Sequence, residues 1–244
     1  MKRSWMLTTM VLILTAAITA CSAKSTPTST NNTNAGTTNN GNSYVMPKSA
    51  DTPTPVATLD TNTKSWSPIF IVTSQNPKTV AVNENGGELD FTLGGKDSYA
   101  YKFRTGYSKA DVIVDAIALN AGKVPMGVLL TCRTASDYSK WYEFRVGLAG
   151  QYNIYYYDNA LKDKGKNPYV SLKQGTTDAM LPIKANDIKA TCKGTSLSLN
   201  INGQDIASIS DNKLSGEGTV GIGATSSYNV PVAINFQSLN VTTP

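Results

Sequence analysis

From residue 79 onwards, apolar and polar residues alternate with a period of two, and turn-forming residues interrupt the alternation at intervals of about ten positions. Successive side chains of a strand point to opposite faces, so this pattern is typical of half-buried β-strands. No window shows the 3.6-residue periodicity of an amphipathic helix. Many short antiparallel strands at this spacing predict an all-β fold, either a sandwich or a barrel.

Thirteen segments carry this alternation and are predicted to be strands. They are Thr79–Val82, Glu88–Leu93, Ser98–Arg104, Asp111–Leu119, Gly127–Thr134, Trp141–Leu148, Gln151–Tyr157, Tyr169–Leu172, Asp187–Lys193, Ser196–Asn202, Gln204–Ser210, Gly218–Ala224 and Val230–Val241. The alternation is clearest in Ser196–Ile201, which is followed by Asn202-Gly203. This dipeptide supplies the two positive φ angles of a type I′ turn. Residues Ser196–Ser210 are therefore predicted to form a β-hairpin.

The N-terminal residues resemble a bacterial lipoprotein signal. Lys2 and Arg3 form a basic start, and Met6–Thr19 is apolar but too short for a comfortable bilayer span. Small residues before Cys21 are typical of a lipobox, which predicts a signal peptide at residues 1–20 and diacylation of Cys21. An ordinary signal peptide cut nearby and an uncleaved anchor are the alternatives. The lipobox predicts a bacterial cell-envelope protein that is lipid-anchored, with its domain on the extracytoplasmic side of the membrane.

The predicted lipid anchor is followed by a linker and one domain. Residues 21–60 are rich in Ser, Thr, Asn and Pro, so they cannot bury enough apolar surface to offset the entropy of ordering. They are predicted to form a disordered tether. The remaining residues, 61–244, are enough for one domain with a single core.

Charge and residue types exclude several functions. The net charge is +5 and no arginine-rich run occurs, so nucleic acid is not a predicted partner. The sequence contains no histidine. This excludes Ser-His-Asp and Cys-His catalysis and the common zinc sites.

Two cysteines remain beyond Cys21, and they are Cys132 and Cys192. In an exported chain an even pair predicts a disulfide, with two free buried thiols as the alternative. Both cysteines fall on the apolar faces of their predicted strands, where a bridge inside the core can form.

The residues from Cys132 to Val146 form a predicted hairpin whose side chains separate into two faces. One face is apolar and is predicted to enter the core: Tyr142, Phe144 and Val146. The opposite face carries one tryptophan and three charged residues: Arg133, Trp141, Glu143 and Arg145. The hairpin accounts for the first set and leaves the second set available for a function.

Three motifs resemble a known family. They are a Cys-Arg strand followed by aromatic-x-Phe and Gly-x-Tyr (132–152), a Cys-x-Gly-x-x-Leu-x-Leu hairpin ending in Asn-Gly (192–203), and Gly-x-Val-Gly (218–221). With them, most of residues 61–244 resembles the concanavalin A-like lectin/glucanase domains of bacterial surface lipoproteins. These are laminin-G-like jelly rolls related to the domain named 3-keto-disaccharide hydrolase. The resemblance implies a two-sheet antiparallel β-sandwich with one concave face and a Cys132–Cys192 bridge. It implies no single function, since the fold hosts lectins, glycosidases and adhesion modules.

The best match to a glycosidase motif is incomplete. Laminarinase-type members of this fold carry Glu-x-Asp-x-x-Glu along one strand. Glu88 and Asp90 match the first two acids, but Leu93 stands where the acid/base glutamate should be. These acids are expected to face solvent on an outer strand, and no catalytic residue is predicted.

The outward face of the predicted hairpin is the candidate binding face. Its predicted ligand-binding residues are Arg133, Trp141, Glu143, Arg145 and Tyr155. Aromatic rings can stack on sugar faces, and a carboxylate held ionised by a neighbouring arginine can bind sugar hydroxyl groups. The alternatives are cross-strand packing for the aromatic rings and a surface salt bridge for Glu143.

The function predicted from the sequence is non-catalytic binding of a polysaccharide or oligosaccharide at the cell surface. The alternatives are a glycoside or 3-keto-disaccharide hydrolase-like enzyme and a structural adhesion module with a protein partner. No cofactor is predicted. Calcium at Asp158–Asp163 or Asp205–Asp211 is the alternative, although neither segment has the ligand spacing of an EF-hand loop.

Overall fold

The computed structural model of this protein describes residues 65–121, 127–147 and 149–244. These residues form fourteen strands, one short helix and a 3-10 turn at Pro77–Thr79. The strands are β1 (Phe70–Thr73), β2 (Val80–Asn85), β3 (Glu88–Leu93), β4 (Tyr99–Phe103), β5 (Val112–Asn120), β6 (Val128–Thr134), β7 (Lys140–Val146), β8 (Gln151–Asp158), β9 (Tyr169–Thr176), β10 (Asn186–Lys193), β11 (Ser196–Ile201), β12 (Gln204–Ser210), β13 (Thr219–Thr225) and β14 (Val232–Thr242). The helix, α1 (Asn159–Asp163), lies between β8 and β9.

The strands are arranged in two antiparallel sheets of seven strands each. The first sheet has the order β1-β4-β13-β6-β7-β8-β9, and the second has the order β12-β11-β10-β5-β14-β3-β2. This arrangement confirms the predicted all-β, two-sheet sandwich. Each of the thirteen predicted strands overlaps an observed strand, whereas β1 and α1 were not predicted.

The predicted Asn-Gly hairpin is confirmed. Strands β11 and β12 pair from Ser196↔Ser210 to Ile201↔Gln204. Asn202 and Gly203 at the turn have φ angles of 51° and 80°. Both are positive, as a type I′ turn requires.

The main core fills the space between the two sheets. Tyr142, Phe144 and Val146 of β7 are fully buried there, in one cluster with Val114 of β5 and Phe236 of β14. The inward face predicted for the 132–146 hairpin is therefore confirmed, and the other face of β7 lies on the outside of the first sheet.

A disulfide joins the two sheets. Cys132 of β6 is bonded to Cys192 of β10, with their Cα atoms 6.6 Å apart. Strand β6 belongs to the first sheet and β10 to the second. The predicted pairing is confirmed, and the bond lies inside the main core.

Arg133, in contrast, does not lie on the predicted binding face. It has a positive φ of 50°, and the pairing of β6 with β13 shifts register at this point, so the alternation is broken there. Its buried guanidinium donates to the carbonyl oxygens of Ala110, Leu214 and Gly194, each at 2.7 Å, and to the Asp111 carboxylate at 3.3 Å. Arg133 thus links the segment before β5, the β10–β11 turn and the segment between β12 and β13.

Several predictions fall on residues that the structure does not describe. They are the signal peptide at residues 1–20, the lipid attachment at Cys21 and the linker at 21–60. Within the described ranges, no helix has the length and apolar character needed to cross a membrane.

Candidate functional site

The outer face of the first sheet carries a second cluster of buried aromatic side chains. Trp141 of β7 stacks on Tyr157 of β8 with the ring centroids 3.6 Å apart. Edge-on contacts to Tyr101 and Phe70 and a tilted contact to Phe103 surround it, at centroid distances of 5.2, 6.2 and 5.6 Å. Trp141 has an exposed fraction of 0%. The protein's own side chains therefore close this part of the face.

The structure corrects the expectation that Trp141 is open to a sugar. The alternation assigned it to the right face, away from the main core, but did not reveal what covers that face. Phe70 of β1, which was not predicted, contacts Trp141, and Tyr138 of the β6–β7 turn packs on Phe70 and against the cluster. Tyr138 also stacks on Phe103 at 4.6 Å. Trp141 is consequently a packing residue.

Two glycines of β13 make room for these rings. A Cβ atom at Gly221 would come within 2.6 Å of the Phe103 ring, and one at Gly223 would come within 2.3 Å of the Ala100 carbonyl oxygen. Real Cβ atoms do not approach other atoms this closely, so both positions require glycine. The two glycines therefore allow Phe103 and Tyr101 of β4 to pack closely against β13.

The outer face of the first sheet is concave. Strands β4 and β9 are five positions apart in the sheet order, which in a flat sheet corresponds to about 24 Å. Nevertheless Tyr99 of β4 and Tyr169 of β9 stack with their ring centroids 5.2 Å apart. The sheet must curl for these side chains to meet, as the family resemblance implied.

A buried carboxylate lies at the centre of the concave face. Glu143 of β7 has an exposed fraction of 0%. Its Oε2 accepts hydrogen bonds from the Tyr101 hydroxyl at 2.7 Å and from Trp141 Nε1 at 3.2 Å. Its Oε1 accepts from Nε and Nη2 of Arg145, at 2.9 and 2.6 Å. Both oxygens are occupied, so the charge is paired and hydrogen-bonded, as a buried charge must be.

Three tyrosine rings surround the Arg145 guanidinium. Its Cζ atom lies 4.7 Å from the ring centroid of Tyr99, 4.5 Å from that of Tyr155 and 4.9 Å from that of Tyr169. These distances are within the range of cation–π attraction. Burial is the largest single influence and opposes the positive charge, but the Glu143 carboxylate together with Tyr101, Tyr99 and Tyr169 holds the pKa of Arg145 above its usual value. The guanidinium is therefore charged and fixed in place.

The tyrosine hydroxyl groups of this face remain protonated. Burial raises the pKa of Tyr101 and of Tyr169 well above the usual value of 10.0, and the Glu143 carboxylate adds to both shifts. Burial also raises the pKa of Tyr155. The hydroxyl groups of Tyr101 and Tyr169 are 2.8 Å apart and form a chain that ends on Glu143. All three phenols are therefore neutral at physiological pH, and the O–H groups of Tyr101 and Tyr169 are used within this chain.

An open cleft of about 390 Å³ lies beside the caged arginine. It is lined by Val72, Thr73, Tyr99, Arg145, Tyr155, Lys162, Asn167, Pro168 and Tyr169. Arg145 also lines a second depression of about 360 Å³, together with Gly127, Gly147, Ala149, Gln151, Asn153 and Thr225. Each volume is near the lower end of the range of small-molecule sites, about 300–1,000 Å³. We refer to the first of these depressions as the tyrosine–arginine cleft.

The five predicted binding residues have different environments in the structure. Arg145 and Tyr155 line the tyrosine–arginine cleft. Glu143 lies buried behind Arg145 and holds it. Trp141 and Arg133 are buried and line neither depression.

Seven of the nine cleft residues were missed by sequence reasoning, among them Tyr99, Lys162 and Tyr169. Tyr99 carried a usable signal, because it shares a strand face with Tyr101 while Ala100 between them enters the main core. Lys162 lies in α1, a segment of five residues without a periodic pattern. Tyr169 is the first residue of its strand, so nothing in its local sequence distinguishes it.

The glucanase-like acids lie on the other sheet. Glu88 and Asp90 are on β3 of the second sheet, and both accept hydrogen bonds from Nδ2 of Asn235 at 2.7 Å. They line neither depression of the first sheet.

The carboxylates predicted as alternative calcium ligands accept hydrogen bonds from other groups of the protein. Asp158 accepts a hydrogen bond from the backbone N–H of Ala160 at the start of α1, and Asp163 accepts one from Asn159. Asp205 lies near the start of β12 and Asp211 follows directly after its last residue, so the two are about 20 Å apart along a strand. In the described part of the chain, no group of three or more His, Cys, Asp or Glu residues is placed to hold a metal ion.

No protein-family model and no curated protein matches the sequence. Among solved structures, the chain is similar to the carbohydrate binding module CBM66 from Bacillus subtilis, with a TM-score of 0.55, 13% identity and coverage of 73% of this chain and 96% of that one. It is also similar to a Bacillus licheniformis beta-glucanase, with a TM-score of 0.54, 11% identity and coverage of 77% of this chain and 96% of that one. A legume lectin-like domain from Entamoeba histolytica is similar with a TM-score of 0.51, 12% identity and coverage of 72% of this chain and 90% of that one. At these identities the likeness concerns the fold, which is a concanavalin A-like jelly roll.

Proposed function

We propose that this chain is a surface lipoprotein whose sandwich domain binds glycans without cleaving them, at the tyrosine–arginine cleft. The observation that carries the proposal is the cage of three tyrosine rings around a fixed guanidinium, open to a cleft of about 390 Å³. Aromatic faces and rigid hydrogen-bond donors are what a sugar ring, with its apolar faces and polar rim, requires.

The proteins of similar fold support the choice of ligand class. One is described as a carbohydrate binding module and another as a beta-glucanase. Glycans are therefore the first ligands to test on this chain, although a shared fold does not determine a function.

The acids of the described residues favour binding over hydrolysis. A retaining glycosidase needs two carboxyl groups about 5–5.5 Å apart on either side of the scissile bond. No aspartate or glutamate lines either described depression of the concave face, and both carboxylate oxygens of Glu143 are engaged by protein donors. The predicted relation to the 3-keto-disaccharide hydrolase domain remains a prediction. Oligosaccharide turnover that disappears in Glu143→Gln would contradict the non-catalytic proposal.

We expect Tyr155→Ala to weaken glycan binding by about tenfold or more, because aromatic residues of this kind dominate binding sites. Tyr155 is half-buried and contributes one wall of the cage around Arg145. A glycan array identifies the ligand, and calorimetric titration of the purified protein then gives the affinity.

Tyr107→Ala is the matched control. Tyr107 is a half-buried tyrosine between β4 and β5 that lines neither depression, so its loss should leave the affinity unchanged. Absence of binding to any glycan would contradict the proposed function. Equal affinity of Tyr155→Ala and the unchanged protein would place the site elsewhere.

The lipid anchor is a proposal supported by the lipobox sequence that ends at Cys21. We expect cells grown with labelled palmitate to incorporate the label into this protein, and Cys21→Ala to abolish incorporation. Cys132 and Cys192 are bonded to each other, so the label has no second cysteine to reach in the folded domain. Label that persists in Cys21→Ala would disprove the anchor.

A further inference from the structure

The guanidinium at the centre of the cage has donors to spare. Arginine carries five N–H groups. Nε and Nη2 of Arg145 each donate to Oε1 of Glu143, while Nη1 makes one long contact of 3.4 Å with the Tyr99 hydroxyl. Arg145 lines both depressions of the concave face. Its remaining donors are therefore the polar groups through which this residue can hold a ligand.

A second positively charged side chain, that of Lys162, lines the same cleft. Lys162 of α1 donates from Nζ to the backbone carbonyl oxygen of Val72 in β1, at 2.6 Å. An ammonium group has three donors, so two remain after this bond. Lys164 and Lys166 follow within four residues and are exposed, with Asp163 as the one acid among residues 162–166. The segment that leads to the cleft residues Asn167 and Pro168 is thus basic.

The charged groups that line the cleft are all positive. Its charged lining residues are Arg145 and Lys162, and none of its described lining residues is acidic. A neutral sugar has hydroxyl hydrogens that need acceptors, whereas an ionised group needs donors and is repelled by carboxylates. The negative charge of Glu143 lies behind the guanidinium and is already matched by it.

We propose that the tyrosine–arginine cleft recognises an acidic glycan, in which a carboxylate or sulfate group on the sugar binds between Arg145 and Lys162 while the ring packs against Tyr155. This inference rests on the proposed glycan-binding function and specifies its ligand class. Arginine is suited to the anionic group because its planar fork matches two oxygens at once.

Two matched pairs of polymers test the inference with the purified protein. Polygalacturonate is compared with its fully methyl-esterified form, and dextran sulfate with dextran. We expect at least one acidic member to bind about tenfold or more tightly than its neutral partner, because charge-assisted hydrogen bonds are the strong ones. Binding should weaken as sodium chloride is raised from 0.05 to 0.5 M, since salt screens charge. The pair that shows the preference identifies the anionic group as a carboxylate or a sulfate.

Lysine variants link the preference to the cleft. Lys162→Gln should lower the affinity for the acidic polymer about fivefold and leave that for the neutral polymer unchanged, whereas Lys162→Arg should keep the preference. Lys193→Gln is the control, because it removes the same charge from an exposed residue of β10 in the second sheet. Unfolding temperatures of all variants establish that each is folded.

The outcomes distinguish this inference from the proposed function. Equal affinity for the acidic and neutral members of both pairs overturns the acidic-ligand inference and leaves glycan binding standing. An equal loss in Lys162→Gln and Lys193→Gln also overturns it, because the preference would then reflect overall charge. A protein that binds no polysaccharide of either kind contradicts the proposed function itself.

Discussion

Trp141→Ala is expected to lower the free energy of unfolding by about 3–5 kcal/mol, the usual cost of deleting a large buried aromatic side chain. Trp141 is fully buried, stacks on Tyr157 and donates from Nε1 to Glu143. Its loss leaves a cavity in the outer cluster and removes one of the four donors to a buried carboxylate. For a domain of this size the unfolding temperature should fall by roughly 10 °C. Urea denaturation and calorimetry measure both quantities.

Trp141→Phe is the milder variant. It keeps an aromatic ring against Tyr157 but removes the indole N–H and part of the buried ring volume, so it should cost about 1–3 kcal/mol, less than Trp141→Ala. Were Trp141 an exposed sugar platform, either substitution would change stability by less than about 0.5 kcal/mol. A stability change that small, accompanied by loss of glycan binding, would contradict the buried position.

The fold was largely predictable because a sandwich strand has one face in the core. In β7 and β11 this leaves a period-two pattern that local sequence displays directly. Strand β1 was not predicted because its sequence, Phe-Ile-Val-Thr, shows no alternation of apolar and polar residues. The turn at Asn202 was predictable for a different reason, since its backbone angles demand particular residue types.

The site was less predictable because alternation assigns a side chain to a face and is silent about what covers that face. Trp141 and Glu143 were placed on the correct face, yet Trp141 is covered by Phe70 from a strand far away in the sequence, and Glu143 is enclosed by Tyr101, Trp141 and Arg145. Tyr99 and Tyr169 meet only because the sheet curls. The prediction for Arg133 was wrong for a local reason, because its positive φ turns the side chain away from the direction that the alternation predicts.

The inter-sheet disulfide leads to the second large prediction. Removing it in Cys132→Ala/Cys192→Ala should destabilise the domain by about 4 kcal/mol on the chain-entropy model, because the bond closes a loop with a sequence separation of 60. The unfolding temperature should fall by roughly 10 °C. Because the unfolded chain becomes less compact, the dependence of unfolding free energy on urea should become steeper. Urea denaturation of both proteins measures the free energy and the slope together.

Chemical reduction of the unchanged protein provides the control, since it opens the loop without deleting either side chain. The reduced protein should lose nearly as much stability as the double variant, and the difference between them reports the packing of the two sulfur atoms in the core. Neither cysteine lines the cleft, so glycan binding below the unfolding transition should survive both treatments. Two reactive thiols in the untreated domain, or a loss of stability below about 1 kcal/mol in the double variant, would show that the two sheets are held together by burial alone.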